Sequence, residues 1–167
     1  MNPMRNIRIE KITINIGVGE AGEKLDKAKK LLEKLTNKKI ILTKTKKRTT
    51  FGTPKGRTIG CKVTLRKNDA VEFLKKALEA VEFKLNESCF DKQGNFSFGV
   101  KEHIDISGVR YDPEIGIYGM DVSVTLERRG FREKRKRIAH GIGKHHVITP
   151  QEAREWVSQT FGVKVGE

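Results

Sequence analysis

Across thirty-five consecutive positions, 34–68, the chain has no aspartate and no glutamate, yet it carries twelve lysines and arginines there. A surface kept basic only for solubility intersperses both signs, so a gap of this length argues against a cationic partner and for a polyanion. The formal net charge of the 167-residue chain is +14, and this one segment supplies +12 of it. Residues 128–144 add a second block of +7, eight basic residues against Glu133, and the remainder of the chain comes to −5. The charge is therefore two local footprints on a mildly acidic protein, the distribution expected for nucleic acid.

Other scarcities narrow the class further. Two cysteines, Cys61 and Cys89, are too few for a disulfide scaffold, and a reducing cytoplasm is the expected home. No stretch approaches the roughly 18–20 apolar residues of a membrane span, so no membrane partner is expected. The first six residues lack the apolar core of a secretion signal. No closely spaced cysteine pair accompanies His140, His145 and His146, so no zinc pattern forms. No serine or cysteine nucleophile sits in a recognisable catalytic context. Neither metal nor cofactor is expected, and the chain does not read as an enzyme.

What is present is patterned well enough to fold despite a hydrophobic content of 36%. Ile7, Ile9, Ile12, Ile14 and Ile16 make a strand whose phase slips near Lys11, the mark of a bulge. A glycine turn over residues 17–22 leads to Leu25, Ala28, Leu31, Leu32 and Leu35 at helical spacing. Strands are expected over 40–45 and 59–66. A helix should then open at Asn68-Asp69 with Asp69 and Glu72 as a capping box, and bury Val71, Leu74, Leu78, Val81 and Leu85. Strands over 96–106 and 120–126 follow, with His103 on the polar side of the first. Thr149-Pro150-Gln151-Glu152 starts a last helix with Ala153, Trp156, Val157 and Phe161 on one face. Strands adjacent in sequence without intervening helices point to an α+β fold: a mostly antiparallel sheet, helices on one face, the other face free. The whole of 1–167 reads as one domain with a basic loop at 48–58, a polar loop at 86–95 and a basic arm at 127–148.

Two phosphate-loop lookalikes carry little. Gly17-Val18-Gly19-Glu20-Ala21-Gly22 matches a dinucleotide fingerprint, but the acidic residue due about twenty positions later is missing. A nicotinamide-dependent oxidoreductase is thus a remote alternative. Gly141-Ile142-Gly143-Lys144 is followed by His145 where a Walker loop has Ser or Thr. The polar side of the strands is more informative. Lys62, Thr64 and Arg66 alternate against Cys61, Val63 and Leu65, and Lys44, Lys46 and Arg48 should line one face of the preceding strand and its exit, with Lys47 beside them. Lysine and arginine would hold phosphates, while threonine and asparagine reach sugars and bases. In the loop, Phe51 lies among basic residues with Lys55 and Arg57 nearby and is suited either to stacking on an unpaired base or to anchoring the loop in the core. The arm offers Arg128, Arg129, Arg132, Lys134, Arg135, Lys136, Arg137 and Lys144, and its self-repulsion predicts mobility in the absence of RNA. A generic RNA chaperone or regulator would use the same residues.

The blocks at 14–20, 42–47, 59–66, 94–103 and 117–121, in this order and over nearly the whole chain, resemble successive signatures of the L-five family of large-subunit ribosomal proteins. The arm and the short N-terminus are similar to the archaeal and eukaryotic branch. The resemblance implies a structural protein of the large ribosomal subunit that binds 5S rRNA through the free sheet face and helps attach it in the central protuberance. It also implies contacts to large-subunit rRNA, to P-site tRNA through a loop matching residues 86–95, to a small-subunit bridge protein of the S-thirteen family, and to other central-protuberance proteins. That loop is short here and has only Lys92 as a basic residue. Asn15, Phe51 and Thr64 match family positions that contact 5S RNA. Lys38 stands where bacterial members usually have glutamine, which would remove that contact or turn it into a phosphate pair.

Overall fold

The computed structural model describes residues 2–48 and 52–166. It contains β1 (Ile7–Gly17), α1 (Glu23–Thr36), β2 (Ile41–Lys44), β3 (Thr58–Leu65), α2 (Lys67–Glu79), β4 (Lys84–Asn86), β5 (Phe96–Val100), β6 (Met120–Arg128), α3 (Pro150–Phe161) and β7 (Lys164–Gly166). Five strands form one sheet in the order β2-β3-β1-β6-β5, every neighbouring pair antiparallel. The expected α+β architecture is what forms.

The N-terminal strand is the central one. Ile12, Ile14 and Ile16 alternate into the core at 1% exposure or less, while Thr13 and Asn15 face outward. Each such isoleucine contributes roughly 1.5–3 kcal/mol by leaving water. The predicted slip is a register shift between Ile9 and Lys11 in the pairing with β6. Leu25, Ala28, Leu31 and Leu32 of α1 and Ala70, Phe73, Leu74, Ala77 and Leu78 of α2 are buried against the same side of the sheet. Gly60, on β3, has to be glycine. A Cβ there would lie 2.8 Å from the Ile16 carbonyl and 2.9 Å from Thr43 Oγ1, so β1, β2 and β3 close on each other only over a bare Cα.

Several expectations need correction. α2 begins at Lys67, capped by Arg66 without a side-chain bond, so Asp69 and Glu72 form no capping box. Leu74 and Leu78 are buried as predicted, but Ala70, Phe73 and Ala77 complete the stripe and Val71 stays half-exposed; the helix stops at Glu79, so Val81 lies beyond it and Leu85 belongs to β4. The strand predicted over 96–106 ends at Val100; His103 lies in a 3-10 turn, 1% exposed, its Nδ1 accepting the Tyr118 N–H at 3.3 Å. Burial holds its pKa below the ordinary histidine value. His103 is thus a core residue and does not face solvent or RNA. A two-stranded parallel sheet, β4 with β7, has no counterpart in the sequence reading.

The glycine turn after β1 serves the sheet: the Val18 and Gly19 N–H groups donate to the Ile59 carbonyl at 3.0 and 2.9 Å. Because β3 lies between β1 and β2, the βαβ unit of a dinucleotide site is not assembled. α3 starts as its sequence prescribes. Thr149 Oγ1 accepts from the Glu152 N–H, Glu152 accepts from the Thr149 N–H, and Pro150 occupies the first turn. Among the described residues no helix is long and apolar enough to cross a membrane. Cys61 is fully buried, which pushes its thiol up to about 11 and leaves it inert.

Candidate nucleic-acid interface

With both long helices on one side, the other side of the five-stranded sheet is open. Register fixes what it presents, since residues directly opposite in antiparallel strands share a face. One row runs Ile41, Lys62, Asn15, Asp121, Gly99 across β2, β3, β1, β6 and β5. The next runs Thr64, Thr13, Ser123, Ser97. The expected Asn15, Lys62 and Thr64 therefore do lie together near the middle of the face. Thr13, Ser97, Asp121 and Ser123 join them, and the sequence reading missed these four. Their signal was available: Val122 and Val124 point inward, which turns Asp121, Ser123 and Thr125 out.

The acid-free block closes one end of the face. β2 stops at Lys44, so Lys46, Lys47 and Arg48 lie in the following loop and not on a strand face, and it is Ile41 and Thr43 that stand opposite Lys62 and Gly60. Thr45 fastens the base of the loop: its N–H donates to the Arg57 carbonyl at 2.9 Å, its carbonyl accepts from Gly56, and its hydroxyl donates to the Pro54 carbonyl at 2.7 Å. Lys44, Lys46, Lys47, Arg48, Lys55 and Arg57 are all exposed, and none has an acidic partner among the described residues. Phe51 falls outside the described residues. Lys38 is not on this face. It pairs with Asp69 of α2 at 2.8 Å and lines a groove of about 790 Å³ on the helix side, whose rim also carries the Lys34–Asp112 pair at 2.7 Å.

The arm lies at the other end, where β1 begins and β6 ends. Its first member departs most from expectation: Arg128 is 4% exposed, donating to Glu152 at 2.9 Å and to the His146 carbonyl at 3.4 Å, so it binds the arm's two ends together and is not available to RNA. Arg135 donates through its two terminal nitrogens to Glu10 and Glu127, each at 2.7 Å. Arg8 reaches Glu127 at 2.7 Å and Arg66 comes within 3.6 Å of Glu10. Three arginines thus surround two carboxylates whose side chains are only 14% and 8% exposed, and the cluster keeps a net positive charge. Lys134 donates to Gln93 Oε1 and Lys136 pairs with Glu133. Arg129, Arg132, Arg137 and Lys144 are exposed without an acidic partner among the described residues.

The arm is therefore docked through Arg135 and leaves its middle, around residues 137–141, exposed. Limited trypsin digestion of the free protein should cut first after Arg137 and last after the buried Arg128. Arg135→Ala should speed arm cleavage several-fold and leave the helices resistant; equal rates in the two proteins would mean that the Glu10 and Glu127 contacts do not hold the arm.

The chain matches the family model for the C-terminus of the ribosomal L5 family over residues 58–164 and that of ribosomal protein L5 over residues 2–50. It is 51% identical to the large ribosomal subunit protein uL5 of Sulfurisphaera tokodaii, over 100% of this chain and 96% of that protein. It is likewise 51% identical to the uL5 of Sulfolobus acidocaldarius, covering 99% and 94%, and 48% identical to that of Nanoarchaeum equitans, covering 98% of each. With both family models placed in order on one sheet whose open side is flanked by basic blocks, the chain belongs to the ribosomal protein L5 family.

Proposed function

We propose that this protein is a structural constituent of the large ribosomal subunit that holds 5S rRNA on the open face of its sheet and helps attach it in the central protuberance. The observation that carries the reading is the layout of the face. A row of hydroxyl side chains crosses the strands beside a row that holds Asn15 between Lys62 and Asp121, and unpaired basic residues gather at both ends of β1, roughly 34 Å apart at about 3.4 Å per residue. Basic ends set the position of a phosphate backbone, and the hydroxyl and amide side chains between them reach sugars and bases. The exposed side chains of the arm would grip neighbouring large-subunit rRNA. The loop at 86–95, braced by Asp91 accepting from the Gln93 N–H and from Asn95 Nδ2, would present Lys92 to P-site tRNA. A small-subunit protein of the S-thirteen family would bridge to it.

A generic RNA chaperone would share the charge but not the selectivity. Binding of 5S RNA and bulk tRNA, each at two salt concentrations, separates the two readings. The expected result is an affinity ratio for 5S RNA that persists once the counterion-release contribution is removed. Thr64→Ala should lower that ratio with little change in salt slope, whereas Lys62→Ala should reduce the slope by about one. Equal affinities for the two RNAs, or identical behaviour of the two variants, would leave only a basic surface.

A further inference from the structure

Among the described residues three carboxylates stand out on the open face, and two of them are neutralised. Glu10 and Glu127 are enclosed by Arg8, Arg66 and Arg135. Asp121 is different. It is exposed near the start of β6, one strand in from the β5 edge, and has no ion pair or hydrogen bond among the described residues. On a surface that holds phosphates, such a charge repels the ligand unless it accepts a hydrogen bond from it.

Its neighbours suggest the donor. Asn15 is directly opposite on β1, with Lys62 beyond it, and Gly99 is directly opposite on β5. Nothing in the fold requires glycine at position 99. Its φ is not in the left-handed region, and an added Cβ would meet only Asp121 Oδ1 at 3.9 Å, an ordinary contact. Glycine weakens a strand interior, and where neither backbone nor packing calls for it, it marks a place of close approach by a ligand. Here it leaves a bare patch beside an unpartnered carboxylate.

We propose that Asp121 is a selectivity-determining residue of this face, reading the Watson–Crick edge of an unpaired guanine that lies over Gly99. The proposal rests on the reading of the face as an rRNA site. An ionised carboxylate accepts only, through two adjacent oxygens. Guanine has two adjacent donors on that edge, N1–H and N2–H, and a neighbouring O6 acceptor that the Asn15 amide can satisfy. Adenine, cytosine and uracil offer a single donor beside an acceptor, and a ribose hydroxyl offers a single donor. Unpaired bases in RNA are read along this edge. Lys62 stands on the far side of Asn15, placed for the phosphate of the same strand.

Kethoxal, which adds across N1 and N2 of unpaired guanine, tests the two atoms named. The full-length wild-type chain bound to 5S RNA should protect at least one such guanine. Asp121→Asn should restore its reactivity, leave other protections in place, and weaken 5S binding about ten-fold at unchanged salt slope, the loss expected for one bidentate base contact. The same variant should bind bulk tRNA no more weakly than wild type, since a negative charge has gone. Gly99→Val should melt at the wild-type temperature and lose the same protection. The sign decides: tighter 5S binding by Asp121→Asn, or an unaltered guanine footprint, overturns the inference while leaving the face as an RNA site. A wild-type chain that protects no guanine and does not prefer 5S RNA to bulk tRNA overturns the reading beneath it as well.

Discussion

Glu152→Ala should destabilise the protein by about 2–4 kcal/mol, because one carboxylate both caps a helix and neutralises a buried arginine. Glu152 closes the capping box of α3, accepting from the Thr149 N–H at 3.0 Å, and it faces Arg128, whose side chain is 5% exposed. Loss of a cap costs about 1 kcal/mol. Stranding a charge whose Nε already lacks a partner adds more, although less than in a fully enclosed pair since Glu152 is 42% exposed. For a chain of this size the midpoint should fall by roughly 5–15 °C, readable in a thermal melt. Glu152→Gln should show part of the loss and a pH dependence. The Thr149 N–H, and after it Arg128, hold the Glu152 carboxyl below its ordinary value, so its charged form is favoured by folding. Its stabilisation is present above the ordinary value of 4.5 and is lost as pH falls through the lower folded-state pKa. The gap between wild type and Glu152→Gln should therefore narrow below about pH 4.5. A gap independent of pH would mean that packing, and not charge, is what the residue supplies.

Replacing Lys46, Lys47 and Arg48 together by alanine should lower RNA affinity several hundred-fold at 0.1 M salt and reduce the salt slope by nearly three, at about 0.9 for each phosphate no longer neutralised. All three are exposed and lie beyond the end of β2, so the melt should be unchanged. Lys38→Ala is the informative control. Its charge comes from the same acid-free run, but it is committed to Asp69 on the helix side. It should leave the slope untouched. A slope that fell equally in Lys38→Ala would mean that RNA follows charge around the molecule and does not settle on one face.

The contrast between those lysines shows what the sequence could and could not convey. Local signals translated well: the slip in the isoleucines of β1 became a bulge, and Thr149-Pro150-Gln151-Glu152 became a capped helix start. Alternation also told which residues of β3 turn outward, and the same signal stood unused in β6. It did not tell which strands are neighbours, so the rows across the face emerge only from the order β2-β3-β1-β6-β5. Arg128 looks like any arm arginine until Glu152, 24 positions later, is folded against it. His103 alternated onto a polar side that ceased to exist once β5 ended at Val100. Charge counting finds a partner's class from composition alone; deciding which charges are spent within the protein requires contacts between distant segments.

The central place of β1 has a consequence for how the chain is made. Of the five strands of this sheet β1 is made before the others, and both of its partners, β3 and β6, come later. β6 is finished only at Arg128, more than a hundred residues after Gly17. At synthesis rates of about 5–20 residues per second, one edge of β1 stays unpaired for roughly 5–20 seconds. During that interval Ile12, Ile14 and Ile16 have no complete core to enter. The nascent chain is thus open to mispairing over a fixed time window, and a slower-translated stretch between residues 66 and 119 would lengthen its exposure.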